Sequence, residues 1–224
     1  ALDLLGYERP EKLREHPGGR IGLIVPELTN PIFPIFAQNI ESTLSSYGYT
    51  PMLCTQTAGG LTEDSYVELL LEQHVAGIIF VSGLHADVSA SVSRYERLKE
   101  IGLPFVTVNG PNPQIATPDF STDSADAVGQ CVRHLISLGH TSIGLAMGPE
   151  RFIPSQMKVK GFCSAMDSHA PDATAPVVHT LYTVEGGQSA ARMLLKEGCT
   201  AIVCGSHIMA LGVIRQCSAQ GTRV

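Results

Sequence analysis

The hydrophobic positions of this chain fall into short continuous runs separated by amphipathic stretches. Runs rich in β-branched residues occupy 21–25, 50–54, 77–81 (Gly-Ile-Ile-Phe-Val) and 104–108 (Pro-Phe-Val-Thr-Val), the length and composition of buried strands. Between them, apolar residues recur at helical spacing over Ile35–Tyr47, Thr62–His74 (with Leu69, Leu70 and Leu71 on a broad apolar face) and Ser93–Ile101. Units of roughly 30 residues match strand–helix–strand crossovers, so the pattern predicts a parallel sheet. The strands are apolar throughout rather than alternating, which predicts a sheet covered on both faces. A longer helix starts at Asp123 or Ser124 and runs to Leu138, with Gly139 as its C-cap.

The beat then restarts. A strand at 143–146 leads through the loop Met147–Ile153 to a helix over Ser155–Ser168. A strand near 176–181, a helix over Gly187–Glu197, a strand at 201–204 and a helix over His207–Ala219 follow. The natural reading is two successive α/β lobes, 21–139 and 140–224, the second stopping at Val224 where another strand is due. Residues 1–20 differ from both. Leu4-Leu5-Gly6-Tyr7 precedes a charged stretch, Glu8 to His16, and Pro17-Gly18-Gly19 closes it. Pro10 suits the first position of a short helix, but so short a helix is not stable alone, so the segment reads as a linker or a partner-dependent helix.

Composition narrows the class. The 224 residues are 44% hydrophobic, which suffices for one large core or two modest ones. No run reaches the roughly 18–20 apolar residues of a membrane span, and no basic-then-apolar signal opens the chain; the expectation is a soluble, cytoplasmic protein with no membrane partner. The six cysteines form no CxxC pair and sit largely in apolar runs, as expected of small buried hydrophobes in a reducing compartment. A net charge of −6 argues against a general nucleic-acid-binding surface on this chain, though not against a basic element at one end.

Catalytic signatures are scarce. No GxGxxG follows the first strand and no GxxxxGK[ST] occurs, which disfavours dinucleotide and P-loop sites. Gly205-Ser206-His207 is not a nucleophile elbow. The eight histidines are scattered without HExxH spacing, so neither a metal nor a cofactor is expected. Asp123 reads as a helix cap with Asp126 in the first turn, where the dipole favours negative charge. What remains is a binding cleft. In open α/β sheets ligands collect beyond the carboxyl ends of the strands. Those ends place Thr29 to Phe33 (with Ile32), Ser82-Gly83, Asn109-Gly110, Gly148 to Pro154 (with Phe152), Tyr182 and Ser206-His207 at comparable edges of the two lobes. Aromatic faces mixed with a few polar groups suit a small hydroxylated ligand.

These residues resemble the lactose/galactose-repressor (LacI/GalR) family of bacterial transcription regulators. The resemblance is carried by Leu4-Leu5-Gly6-Tyr7, Ile21-Gly22-Leu23-Ile24-Val25-Pro26 with Leu28-Thr29-Asn30-Pro31, and Val75-Ala76-Gly77-Ile78-Ile79. His134 to His140, Gly161-Phe162 and Ile208-Met209-Ala210-Leu211-Gly212 extend it over almost the whole chain. It implies two Rossmann-like, flavodoxin-like lobes of the type I periplasmic-binding-protein kind, an effector held between them, and homodimerisation. It also implies an N-terminal helix-turn-helix headpiece, of which only the last turn, Leu4 to Tyr7, falls in this sequence. Residues 8–16 would be the hinge that turns helical on operator DNA and wedges a leucine into the minor groove. Counted back from Ile21-Gly22 the wedge is Leu13; counted forward from Leu5-Gly6-Tyr7 it is His16. Leu13 is preferred, because a leucine suits the wedge and Lys12 and Arg14 beside it can neutralise phosphates.

For the effector, the resemblance implies pocket roles for Ile32, Phe33 and Asp126, and a stacking role for Tyr182. Lys158 stands where the family has an arginine, and an ammonium cannot make a bidentate fork. Ser206-His207 stands where Asn-Asp is usual, and the next acidic pocket segment would lie beyond Val224. These departures weaken the case for a standard pyranose while leaving a sugar or sugar derivative. The implied activity is a ligand-responsive repressor, in which an effector shifts lobe closure and so DNA binding. A solute-binding protein of a sugar transporter is the alternative; a flavodoxin-like or sugar-isomerase-type enzyme is a third reading, disfavoured by the missing acid/base set.

Overall fold

A computed structural model describes residues 18–56 and 59–224 of the chain. The hinge candidates Lys12, Leu13 and Arg14 lie outside the described residues. The chain divides into two compact units, one running to Gly83 and resuming over Val92–Thr107, the other comprising Leu84–Ser91 and Val108–Val224.

In the first unit, strands β1 (Arg20–Val25), β2 (Thr50–Thr55), β3 (Gly77–Val81) and β4 (Phe105–Val108) lie in the order β2-β1-β3-β4. β1 is parallel to both neighbours, with Leu23 facing Leu53 and Ile79. Helices α1 (Ile32–Ser46), α2 (Glu63–Glu72) and α3 (Ser93–Glu100) connect them. Leu23, Ile24, Val25, Ile78, Phe80 and Val81 are all buried, which is the burial of successive positions expected of a strand covered on both faces. Phe80 packs edge-on against Tyr95 and Phe105 with centroids 5.0 and 5.9 Å away. α1 begins three residues before the predicted Ile35. Pro34 falls in its first turn, where the missing N–H has no intrahelical partner to lose.

One polar cluster sits inside this unit. Thr62 caps α2 by accepting from the Ser65 N–H, and the next residue, Glu63, is fully buried. Its carboxylate accepts from the Tyr95 hydroxyl and, at 3.2 Å, from the Gln56 amide, with Arg94 at 3.8 Å. A buried carboxylate is tolerable only with such partners, and these tie α2, α3 and the end of β2 to one another.

In the second unit, β6 (Ile143–Met147) is central, flanked in parallel by β7 (Val177–His179) and β8 (Ala201–Cys204). Every residue of β6 is buried. Ile143, Leu145 and Met147 join Val128 and Val132 of α4 (Ser124–Ser137) and Phe162, Ala165 and Met166 of α5 (Ile153–His169). Ala146, between them in sequence, joins Ala190, Ala191 and Leu194 of α6 (Val184–Lys196) and Met209, Val213 and Cys217 of α7 (His207–Ala219). The period-2 alternation of a strand therefore assigns each residue to one of two helix layers. The helices α4 and α5 approach each other closely: a Cβ on Gly161 of α5 would stand 2.3 Å from the Ala125 carbonyl oxygen of α4.

Several boundaries differ from the sequence reading. The lobes were expected to divide near Gly139, but α4 packs on α5 and belongs to the second unit, because its stripe of Val128 and Val132 completes that core. α6 starts at Val184 rather than Gly187, since Thr183 caps it through the Gly186 N–H. A short 3₁₀ turn over Leu84–Ala86 and a two-residue strand β5 (Asp119–Phe120) were not predicted. Cys54, Cys199 and Cys217 are buried as expected and Cys204 partly so, whereas Cys131 and Cys163 face solvent from α4 and α5.

Gly161→Ala is expected to destabilise the protein by about 1–3 kcal/mol, because the added methyl meets backbone that cannot turn aside. Urea titration should show a lower midpoint with an unchanged slope.

Candidate functional site

The first unit builds its edge from the loop after β1. Glu27 folds its carboxylate back onto the loop, accepting from the Thr29 N–H at 2.6 Å, the Asn30 N–H at 3.0 Å and the Thr29 hydroxyl. The Asn30 carbonyl accepts from the Phe33 N–H at 3.1 Å, and its side-chain oxygen lies 3.4 Å from the Ile32 N–H. The loop is thereby set before any ligand arrives, with Ile32 exposed and Phe33 half-buried at the start of α1. Ser82, just past β3, has a positive φ of 47°. A non-glycine residue held there is strained, a state that clusters at ligand-binding positions.

The second unit gathers more of the predicted residues. Tyr182, following β7, lies across Gly148 at the end of β6: a Cβ on Gly148 would be 2.1 Å from the ring, and one on Gly205 would be 3.3 Å from it. The missing side chain of Gly148 is what lets the aromatic ring come this close to the sheet's carboxyl edge. The Tyr182 and Ser155 hydroxyls are 2.8 Å apart and share a hydrogen bond. Burial raises the Tyr182 pKa, and the Ser155 bond pulls it partly back. Lys158, one turn along α5 from Ser155, donates to the Gly205 carbonyl at 3.0 Å. Burial pushes its pKa below the ordinary lysine value. The Ser206 side chain caps α7 through the Met209 N–H, and His207 opens that helix, exposed. Phe152 occupies the N-cap of α5, half-buried, under the Arg151 guanidinium at 4.7 Å from its ring centroid. Asn109, beyond β4, has a φ of 64°, a conformation asparagine adopts more readily than most residues.

Asp126 stands apart from these. It lies exposed in the first turn of α4, accepting from Gln130 at 2.6 Å and Arg133 at 3.2 Å, and these two bonds lower its pKa. It borders a groove of about 440 Å³ between α4 and α5, which shares no other residue with the predicted set. Its alignment with a family pocket position could not reveal that local partners occupy its carboxylate. Three residues at the edge were not predicted, Ser155, Asp87 and His179, and Arg151 lay within the predicted loop Gly148 to Pro154 without being singled out. His179 Nδ1 lies 2.8 Å from the Gly148 carbonyl, so that nitrogen carries the proton. Ser155 was legible in principle, because it lies three positions before Lys158 on one helical face; Asp87 is brought in by tertiary structure alone.

Among the described residues, no group of three His, Cys, Asp or Glu side chains could hold a metal ion, and no helix is long and apolar enough to cross a membrane. The profile of periplasmic binding proteins and the sugar-binding domain of the LacI family matches residues 18–224. The chain belongs to this family. It is 54% identical over its whole length to an HTH-type transcriptional regulator from the aml 5′ region of Streptomyces limosus, covering 65% of that protein. It is 52% identical to the HTH-type transcriptional regulator MalR of Streptomyces coelicolor, covering all of this chain and 67% of that one. Among solved structures, a LacI-family transcriptional regulator from Enterococcus faecium with bound ribose is 26% identical, with a TM-score of 0.76 over 92% of this chain and 73% of its own. The chain thus spans about two thirds of the length of the curated relatives it matches. As a LacI-family sugar-binding-domain chain, it carries its aromatic and polar groups at the strand ends where a ligand would be met.

Lys158→Met is expected to leave stability at neutral pH unchanged or about 1 kcal/mol higher, since it removes a charge whose burial is offset by a single carbonyl. The folded chain loses this proton below 10.5, the ordinary value that the unfolded chain keeps. Wild-type stability should therefore rise as pH climbs toward 10.5 and stay lower below that window, a rise absent in K158M and readable by urea titration across pH.

Proposed function

We propose that this chain is the effector-binding core of a sugar-responsive transcriptional repressor. The observation that carries the reading is the Tyr182 ring laid across Gly148, with the Ser155 hydroxyl, the Lys158 ammonium and the Ser206-His207 turn at the same sheet edge. An aromatic platform offers dispersion contact to the C–H face of a sugar, and the surrounding donors orient its hydroxyls. The residues that serve the ligand are, in the first unit, Ile32, Phe33 and Ser82 and, in the second, Phe152, Lys158, Tyr182, Ser206, His207 and Asn109, each at the strand-end edge of its own unit. Asp126 contributes only by giving up its bonds to Gln130 and Arg133. The ribose bound in the E. faecium regulator supports a sugar or sugar derivative as the effector class.

The HTH-type naming of the relatives supports operator DNA as the second partner, reached through a headpiece and a hinge around Lys12, Leu13 and Arg14. It favours a cytoplasmic regulator over the binding protein of a transporter. The active species is a homodimer, and nothing in the edge chemistry requires a cofactor or bond-making step. The sugar acts by binding one conformation of the protein more tightly than another, since equal affinity would shift nothing.

Isothermal titration of the full-length protein against ribose, glucose, galactose, maltose and cellobiose tests this reading. One of them is expected to bind, with Tyr182→Ala weakening it by about tenfold or more and Lys158→Met weakening it while the fold is retained. If no sugar binds, or if both variants bind as the wild type does, the reading fails.

A further inference from the structure

The chain leaves the first unit after Gly83, contributes Leu84–Ser91 to the second, and returns at Val92. Besides the contacts of His85 with Val108 and Asn112, this strap meets the residues just before α5. Asp87 and Phe152 form an antiparallel bridge, and the Val88 N–H donates to the Arg151 carbonyl at 2.9 Å. The side chains repeat the connection. Asp87 is buried, and one carboxylate oxygen accepts from Arg151 Nε at 2.8 Å while the other accepts from the Ser89 N–H at 2.9 Å and the Ser89 hydroxyl at 2.6 Å. The same Arg151 guanidinium lies over the Phe152 ring.

An ion pair whose arginine is half exposed contributes little to stability. Its geometry does something else. The bridge holds the Phe152 backbone, and the carboxylate fixes the guanidinium that covers one face of the ring. A phenylalanine at the mouth of a helix would otherwise choose among several rotamers, and ordering it would weaken ligand binding. We infer that Asp87 and Arg151 are positioning residues for the effector site, clamping Phe152 in the orientation that meets the ligand. Neither touches the ligand. The inference deepens the sugar-binding reading above and rests on it for the identity of the ligand, though not for the clamp itself.

The chain contains no tryptophan, so Phe152→Trp in the full-length protein gives a single fluorescent reporter at this position, provided the parts outside this chain are kept free of tryptophan. Against that parent, Asp87→Asn is expected to raise acrylamide quenching and lower the anisotropy of the indole, Asp87→Glu to restore much of both, and Arg151→Gln to match Asp87→Asn. With Phe152 intact, Asp87→Asn and Arg151→Gln should each weaken binding of the panel sugar by about threefold or more, and the double variant should be no weaker than either single one. The thermal midpoint should stay close to wild type throughout, which separates positioning from loss of fold. Unchanged quenching and anisotropy in Asp87→Asn, or losses that simply add in the double variant, would overturn the clamp. Should no sugar bind the wild type while the fluorescence arm behaves as expected, the clamp stands and the sugar assignment falls.

Discussion

A strand whose every side chain is buried must be covered on two sides, and that constraint organises both units. In β6, Ile143, Leu145 and Met147 point into the layer of α4 and α5, while Ala146 points into the layer of α6 and α7. Because no polar side chain can be spared within such a strand, chemistry is displaced to where the strand ends. The backbone turns there, N–H groups open each following helix, and loops carry the polar and aromatic side chains. Tyr182, Ser155, Lys158 and Ser206 are found at that edge for this reason, as are Glu27, Asn30 and Phe33 in the first unit.

Close approach is the second constraint, and it follows from the first. Helices that cover a sheet on both faces must also pack on one another, and Gly161 lets α5 reach the α4 backbone. Gly148 and Gly205 work differently. They hold no helix in place; their missing side chains make the floor on which Tyr182 lies. Replacing Gly148 would fill the space the ring occupies and replacing Gly205 would drive into the Met147 side chain beside it, so the same residue type serves helix packing in one place and the seating of Tyr182 in the other.

The polar interior follows a common rule with different consequences. Glu63 is satisfied by Tyr95 and Gln56 and ties helices together; Asp87 is satisfied by Ser89 and Arg151 and holds a loop. His85, fully buried beside the Val108 carbonyl, has its pKa pushed down to about 4 by burial and stays neutral at physiological pH. Lys158 is partly buried at the strand-end edge beside Ser155, and its hydrogen bond to the Gly205 carbonyl uses one of the ammonium's three donors.

The strands, the order of helices, and the parallel, doubly covered sheets were legible from hydrophobic runs and their spacing, because period and length are local properties of the chain. So were the loops at the strand ends, since strand ends follow from strands, and the helix cap at Asp123, a short polar side chain just before an apolar period. Where α4 belongs was not, because a stripe such as Val128 and Val132 says that a helix is covered but not by what. Nor was the fate of Asp126, whose carboxylate is occupied by neighbours on its own helix, or the role of Asp87, which meets Arg151 across 64 positions of sequence. Local order is written in neighbours along the chain; which side chains meet across it is decided only when the cores close and bring distant backbone within hydrogen-bond reach.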